Sequence, residues 1–392
     1  MGFATSPATL KPPAMPAPLN ILHLHSSFDL GGKEARAVRL MNAFGDRAKH
    51  VIVSGVPDAL SAREAIQSGI RYEIAQNPPP LTGRPSVARY EAIAKFMARF
   101  DLVLTYNWGA IDGVMARRVF SKNMPPVIHH EDGFNADEAV RLNPVRNMYR
   151  RIALGAAHGL AVPSHMLEAI ALRIWKQPAT KVHRISNGID TARYARKPDP
   201  RALPGFRHLP GHVVIGTVAG LREVKDLPML VAAVGGLKTR AQLVIVGEGP
   251  ERGAIEEAVA NMGMEKTVLL PGFAPDPHRY IGLFDIFALS SRSEQQPIAV
   301  MEAMAAGLPI ASTPVGDVKR MIAPENESFI APDRNPVHLR DQIERLAGYP
   351  DARRQVGKAN QARARALFDE ADMIASYARL YADAAGRPGA LG

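Results

Sequence analysis

Cysteine is absent from all 392 residues. That excludes disulfides, thiolate metal sites and a cysteine nucleophile, and it leaves the redox compartment open. No run of about 18 apolar residues occurs, so no transmembrane helix is expected. The first 18 residues are rich in Pro, Ala and Thr, lack the apolar stretch of a signal peptide, and read as a disordered leader. Met1-Gly-Phe-Ala-Thr-Ser6 fits the N-myristoylation pattern, which is short enough to arise by chance. The second half also lacks net charge. Residues 201–392 carry 22 Lys and Arg against 22 Asp and Glu, whereas residues 1–200 carry 26 against 16. The whole net charge of +10 therefore lies in the first half, for which anionic lipid or nucleic acid are natural partners.

What is present is an alternation of short apolar runs and amphipathic stretches. Asn20–His25 reads as a strand, followed by a turn through Gly31-Gly32 and a helical pattern from Glu34 to Phe44. Val51–Val53 precedes an expected helix over 61–69, and Leu102–Leu104 precedes one over Gly109–Val119. Val127-Ile128 leads into a loop. A segment dense in Pro and Gly, Lys197–Gly205, reads as a linker. Beyond it the alternation restarts with Val213–Ile215, Leu243–Val246, Val268–Leu270, Ile286–Leu289 and Ile310-Ala311. Strands alternating with helices imply parallel sheets with right-handed crossovers. The length fits two domains. The expected boundaries are 1–18 for the leader, 19–197 and 206–365 for two α/β domains, and 366–385 for a terminal helix.

The most informative stretch is Glu294-Gln-Gln-Pro-Ile-Ala-Val-Met-Glu302. A buried strand should run into a turn and then a helix beginning at Pro297, whose missing N–H costs nothing at the first helical position. The free amides of Ile298 and Ala299 would then face an anion such as a diphosphate. Two carboxylates accept hydrogen bonds only, so the pair suits a ligand with hydroxyls at two places, a sugar and a ribose. This segment resembles the E-x7-E signature of glycosyltransferase family 4, retaining nucleotide-sugar enzymes. The resemblance implies the GT-B plan: an α/β chain of two facing, doubly wound, Rossmann-like domains with a cleft between them.

Further segments carry the same resemblance. Gly216-Thr-Val-Ala-Gly-Leu-Arg-Glu-Val-Lys-Asp226 is similar to the family's phosphate loop, which makes Arg222 and Lys225 the cations on the leaving diphosphate. Gly220 stands where the family usually has Arg. Leu243–Pro250 brings Gly247 to a strand end, and Leu270-Pro-Gly-Phe273 resembles the element bordering the nucleobase. By the same resemblance Glu294 takes the transferred sugar and Glu302 the ribose. Gln295-Gln296-Pro297 replaces the family's frequent Gly-Phe-Gly, and the two glutamines are candidates for sugar hydroxyls. Gly31 and Gly32 resemble the first-domain loop over the diphosphate. His129-His-Glu-Asp-Gly-Phe-Asn135 resembles the loop that supplies a cleft residue, with Asp132 and His130 as candidates. A metal shared by that cluster is disfavoured, because neighbours on an extended strand face opposite ways. Asn187–Asp190 reads as a structural turn before the linker.

The expectation is a retaining, metal-independent glycosyltransferase without a cofactor. It would move sugar from a UDP- or GDP-sugar donor to a glycan or lipid-linked acceptor, in cell-surface polysaccharide or glycolipid synthesis. A cytoplasmic place, peripheral on the inner face of the membrane, follows from the basic first half. Arg141, Arg146, Arg150 and Arg151, interleaved with apolar residues, would meet an anionic membrane surface. A nucleotide-sugar epimerase on the same plan is the first alternative. A nucleic-acid-binding protein would explain the charge but not the paired glutamates. A dehydrogenase is disfavoured by Pro250, which interrupts the dinucleotide glycine pattern.

Overall fold

The computed structural model describes residues 17–134, 138 and 141–392. Most of the expected leader, the myristoylation pattern and Asn135 lie outside them. The first sheet contains β1 (Leu19–His25), β2 (Ala48–Ser54), β3 (Tyr72–Ile74), β4 (Leu102–Tyr106), β5 (Val127–His130), β6 (Gly159–Val162) and β7 (Val182–Arg184). Its spatial order is β3-β2-β1-β4-β5-β6-β7. The second sheet contains β8 (Val213–Val218), β9 (Ala241–Val246), β10 (Val268–Gly272), β11 (Ile286–Leu289) and β12 (Ile310–Ser312), in the order β10-β9-β8-β11-β12. Every strand pairing is parallel. Helices cover both faces, so the central strands are buried on both sides and show no polar alternation, as in β4 and β9.

This topology fixes where a ligand can go. Strand order reverses between β1 and β4 in one sheet and between β8 and β11 in the other. A crevice opens beyond the carboxyl ends of the strands at such a reversal. The two crevices face each other.

The terminal helix, Glu370–Ala384, packs on the first sheet although it follows the second in sequence. Asp369 caps it by accepting from the Ala371 amide, and the same carboxylate takes the Thr191 hydroxyl at 2.9 Å. Met373, Tyr377 and Tyr381 are buried among β1 and helix Gly32–Phe44 residues such as Ile21, Val38 and Met41. Burial of each is worth on the order of 2 kcal/mol, enough to hold the crossing.

Side chains of the second domain reach into the first, among them Asp317, Gln296 and Gln295. Asp317 accepts from the backbone amides of His165 and Met166 at 2.5 and 3.3 Å, capping the helix His165–Arg173 from across the cleft. Gln296 accepts from the Asn187 amide at 2.8 Å and donates to the Ser186 hydroxyl at 2.9 Å. Gln295 takes the Ser164 hydroxyl at 3.3 Å.

Some expectations change. The helix expected over 61–69 is a single 3-10 turn, Ser61–Ala65, because the chain is already extended at Ile66 and Gly69 sits at φ +92°. Strands β3, β6 and β7 escaped the sequence reading; β3 (Tyr-Glu-Ile) and β7 (Val-His-Arg) are edge strands with polar residues and no apolar run, and β6 is a short Gly-Leu-Ala-Val. The basic helix, Pro144–Leu154, does not point its arginines outward together. Arg150 is buried against Glu131 and Glu138, and Arg146 binds Glu138.

Candidate active site

A cavity of about 580 Å³ lies between the two sheets. Ser26 and Asn107 reach it from just beyond β1 and β4, Asp132 from just beyond β5, and Val218 and Leu289 at the ends of β8 and β11. Of the residues expected at the site, Gly31, Gly32, Asp132, Arg222, Lys225, Glu294, Gln296, Pro297, Ile298 and Ala299 line it. Glu302 lines an adjoining cavity of about 310 Å³ that shares Gly31, Gly32, Ile298 and Ala299 with the first.

The second domain builds its side from two loops pressed together. After β9, Gly247 and Gly249 adopt φ of +143° and +156°. A Cβ on Gly247 would fall 1.9 Å from the Ala219 carbonyl oxygen, and one on Gly249 2.3 Å from that of Leu221. Only glycine allows this approach. Gly247 therefore shapes the phosphate loop from behind and does not line the cavity, a correction to its expected role on the donor. The loop then presents Arg222, which makes no ion pair among the described residues, and Lys225. Gly220 leaves room for the Arg222 side chain, whose Nε would lie 3.4 Å from a Cβ there.

Lys225 Nζ donates to Glu294 Oε1 at 2.6 Å, and the Ser291 hydroxyl donates to the same oxygen at 2.7 Å. The two charged side chains keep 19% and 12% exposure. Helix Ile298–Ala305 follows. Pro297 is its N-cap, with an extended ψ of 117°, and not its first helical residue. The amides of Ile298 and Ala299 belong to the first turn, which has no intrahelical acceptors.

The first domain lays its glycine turn on that helix. A Cβ on Gly32 would stand 3.4 Å from Ile298 Cδ1, and one on Gly31 2.9 Å from Glu34 Oε2. Asp132 forms a two-pronged pair with Arg36, whose Nη1 also donates to Asn187 Oδ1 at 3.0 Å. Burial pushes the Asp132 carboxyl up, but Arg36 pulls it further down, so it sits below the usual carboxylate range. It is a fixed anion, already committed to a cation.

Three other expectations are corrected. His130 is fully buried behind the site, bonded to Tyr381 Oη at 2.7 Å and to the Thr105 carbonyl at 3.2 Å, and burial lowers it to about 3. It faces the terminal helix, so it is a neutral core imidazole and not a cleft residue. Phe273 is 67% exposed and lines neither cavity. Gln295, through its carbonyl oxygen, and Gln296, through both ends of its amide, bind the first domain, so they brace closure where sugar contacts were expected, with Gln296 still on the cavity wall.

The sequence reading missed much of the first-domain wall. Trp108, Phe134, Glu138 and Arg150 line the cavity. Arg150 is clamped by both oxygens of Glu138, at 3.0 and 3.1 Å, and its guanidinium lies about 5 Å from the rings of Trp108, Phe134 and Trp175. A usable signal existed for Trp108 alone, one of two tryptophans, placed just after the end of a core strand. Tyr194 was missed as well; its hydroxyl donates to Glu302 Oε1 at 2.5 Å.

Comparison with known proteins agrees with this geometry. The family model Glycosyltransferase Family 4 matches residues 30–193, and the model Glycosyl transferases group 1 matches residues 212–348. Together they span about three quarters of the chain, and the chain belongs to the family-4 glycosyltransferases. It is similar to the putative glycosyltransferase EpsF of Bacillus subtilis (strain 168), 30% identical over 184 residues, 45% of this chain and 46% of that protein. It is also 29% identical over 193 residues to the amylovoran biosynthesis glycosyltransferase AmsK of Erwinia amylovora, 45% of this chain and 46% of that protein. The match thus spans about half the length of these curated relatives. Among solved structures, Anabaena HepE in complex with UDP and glucose superposes with a TM-score of 0.77 at 18% identity, covering 93% of this chain and 100% of that one. That likeness is one of fold: GT-B.

Proposed function

We propose that the protein is a retaining glycosyltransferase that moves a sugar from a nucleoside-diphosphate donor, UDP- or GDP-linked, to a hydroxyl of a glycan or lipid-linked acceptor in cell-surface polysaccharide or glycolipid synthesis. The observation that carries the reading is the Lys225–Glu294 pair at 2.6 Å, in a cavity that also holds Arg222 and the first turn of helix Ile298–Ala305. The cations and free amides suit a diphosphate whose charge grows as the glycosidic bond breaks. Glu294, with one oxygen on Lys225 and Ser291, keeps acceptor capacity for the sugar's hydroxyls. Arg222 and Lys225 supply the neutralising charge, which is the basis for metal independence. In a retaining reaction of this kind the acceptor oxygen attacks from the face the leaving group departs from, and a donor phosphate oxygen takes its proton. The protein's part is positioning and electrostatic stabilisation. AmsK is named for the synthesis of a polysaccharide, and HepE was solved with UDP and glucose, which favours a sugar nucleotide and a glycan product here. A panel of single nucleotide sugars tests the donor: one should bind and be slowly hydrolysed. Release of a changed nucleotide sugar without acceptor would favour an epimerase instead.

A place against an anionic membrane belongs to the same proposal. Among the described residues no helix is long and apolar enough to cross a membrane. Helix Pro144–Leu154, however, turns Val145, Met148 and Ile152 to solvent, 77%, 55% and 43% exposed, with Arg151 exposed beside them and Arg141 just ahead. An exposed apolar row flanked by cations suits an anionic lipid surface.

A further inference from the structure

We propose that Tyr194 is a positioning residue of the donor site, holding Glu302 Oε1 so that the second carboxylate oxygen is left to the ribose; the inference rests on the donor reading above. Tyr194 ends the short helix Thr191–Tyr194 in the connection after β7, whereas Glu302 lies on the helix that follows β11. The contact therefore ties the nucleotide side of the cleft to the segment that joins the domains.

Tyr194 is held from several sides. Asp190 caps its helix by accepting from the Arg193 amide at 2.9 Å, and Thr191 is pinned to Asp369. The Tyr194 ring meets the His278 ring edge-on at 6.1 Å, and Arg193 Nε donates to His278 Nε2 at 3.1 Å. A side chain fixed in this way fixes its partner. Burial and the neighbouring Glu302 keep the phenol protonated far above its usual range, so Tyr194 donates and Glu302 accepts.

Glu302 itself is pushed up to about 7 by burial, against the opposing pull of the Tyr194 hydrogen bond and of Arg39. The other groups facing this region are accounted for. Arg39 donates to the Gly188 carbonyl at 2.6 Å and pairs with Glu370 at 3.1 Å. Tyr280, beneath, donates to the Ala274 carbonyl at 3.2 Å. Asp276 lies beyond, 3.8 Å from Arg193 and 3.9 Å from His278. Ribose hydroxyls donate more strongly to an ionised carboxylate, whose two oxygens both accept, than to a protonated one. Nucleotide affinity should then fall as the pH drops through about 7. Loss of the Tyr194 hydrogen bond removes a stabiliser of the ionised form, so the fall should begin at higher pH.

The test is calorimetric binding of UDP and GDP between pH 6 and 9 to the full chain and to Tyr194→Phe, Glu302→Gln and the double variant. For whichever nucleotide the wild type binds, Tyr194→Phe should weaken binding about fivefold near pH 6.5, with its acid limb moved up by roughly half a unit to one unit, and match wild type within about twofold at pH 9. It should add nothing in the Glu302→Gln background. A wild-type curve for Tyr194→Phe, or a uniform loss at every pH, overturns the proposal, since a merely structural tyrosine would not move the limb. If Tyr194→Phe lowers the melting temperature too far to measure, 3,5-difluorotyrosine at the position keeps the question answerable. It is a stronger donor, and the limb should move down; no movement overturns the proposal. Undiminished binding by Glu302→Gln defeats the donor reading itself and is distinct from a normal Glu302→Gln loss with a wild-type Tyr194→Phe, which defeats the tyrosine's role alone.

Discussion

Replacing Lys225 by Ala should slow turnover by about a hundredfold while leaving the fold intact. In the resting site its ammonium lies 2.6 Å from Glu294 Oε1 and keeps 19% of its surface exposed. A cation about 4 Å from the charge that develops on the leaving diphosphate would contribute about 4 kcal/mol at an effective dielectric of ~20. The residual exposure lets water take up part of that, which leaves about 3 kcal/mol, or roughly two powers of ten in rate. The loss should fall on kcat more than on donor KM, because the charge is largest in the transition state. Arg222, which makes no ion pair among the described residues and lines the same cavity, should set the residual rate. The assay is single-turnover release of nucleoside diphosphate from the preferred donor, with and without EDTA, and the chelator should have no effect. A rate within fivefold of wild type would refute the reasoning. So would full inhibition by EDTA reversed by Mg2+ or Mn2+, since a metal would then be carrying the charge assigned to Lys225.

Glu302→Ala should weaken donor binding, whereas Glu294→Ala should cut turnover more than affinity; wild-type kinetics in either folded variant, read from kcat and KM, removes that residue from the site. Acid should unfold the first domain early. His23, His25, His50 and His130 are buried and held neutral, with His50 lowered to about 4 and His130 to about 3, burial being the main cause in each. Their depressed values stabilise the fold above the unfolded value near 6.5, and that stability is lost as the pH falls toward the folded values, at about 1.4 kcal/mol per unit for each imidazole. A melting temperature that stays flat from pH 7 to 4.5 would contradict this. Sedimentation with anionic but not neutral liposomes, reversed by salt, is expected, and Arg141 and Arg151 changed to Ala should weaken it by about 1 kcal/mol each. Indifference to anionic liposomes at low salt would end the membrane reading, while Arg150→Ala should instead destabilise the fold by roughly 3–5 kcal/mol by stranding Glu138 and Glu131.

The legible parts of this chain were those written locally. Runs such as Leu243–Val246 and Ile286–Leu289 announce buried parallel strands, and Glu294–Glu302, just after the second, announces a turn and a helix start within nine residues. What lay hidden was orientation. His130 and Asp132 are two positions apart, yet one bonds to Tyr381 behind the sheet and the other meets Arg36 at the cavity wall. Nothing in the spacing of Glu131, Glu138 and Arg150 shows that they will surround one guanidinium, because the contact closes over a loop and a helix. The direction of the basic helix was misjudged for the same reason. Its charges pattern as a solvated face, but the aromatic pocket of Trp108, Phe134 and Trp175 draws Arg150 inward and leaves Val145 and Met148 outside.

The two glutamines after Glu294 join these observations. A small residue at 295 or 296 would leave the first domain without the hydrogen bonds at Ser164, Ser186 and the Asn187 amide. Those bonds start from the turn that carries Glu294, and the ones at Ser186 and Asn187 end on the segment that runs into Tyr194. Asp317 adds a carboxylate to the N-terminus of helix His165–Arg173 from the same side of the cleft, where it meets both free amides and a favourable helix dipole. Closure of the two domains thus draws hydrogen bonds from the Glu294–Glu302 motif and its neighbours. Each such bond is worth only about 1 kcal/mol net, since water replaces it when the cleft opens. A few bonds of that size suit a cleft that opens and shuts, and they place the opening cost on Gln295, Gln296 and Asp317, beside the proposed donor site.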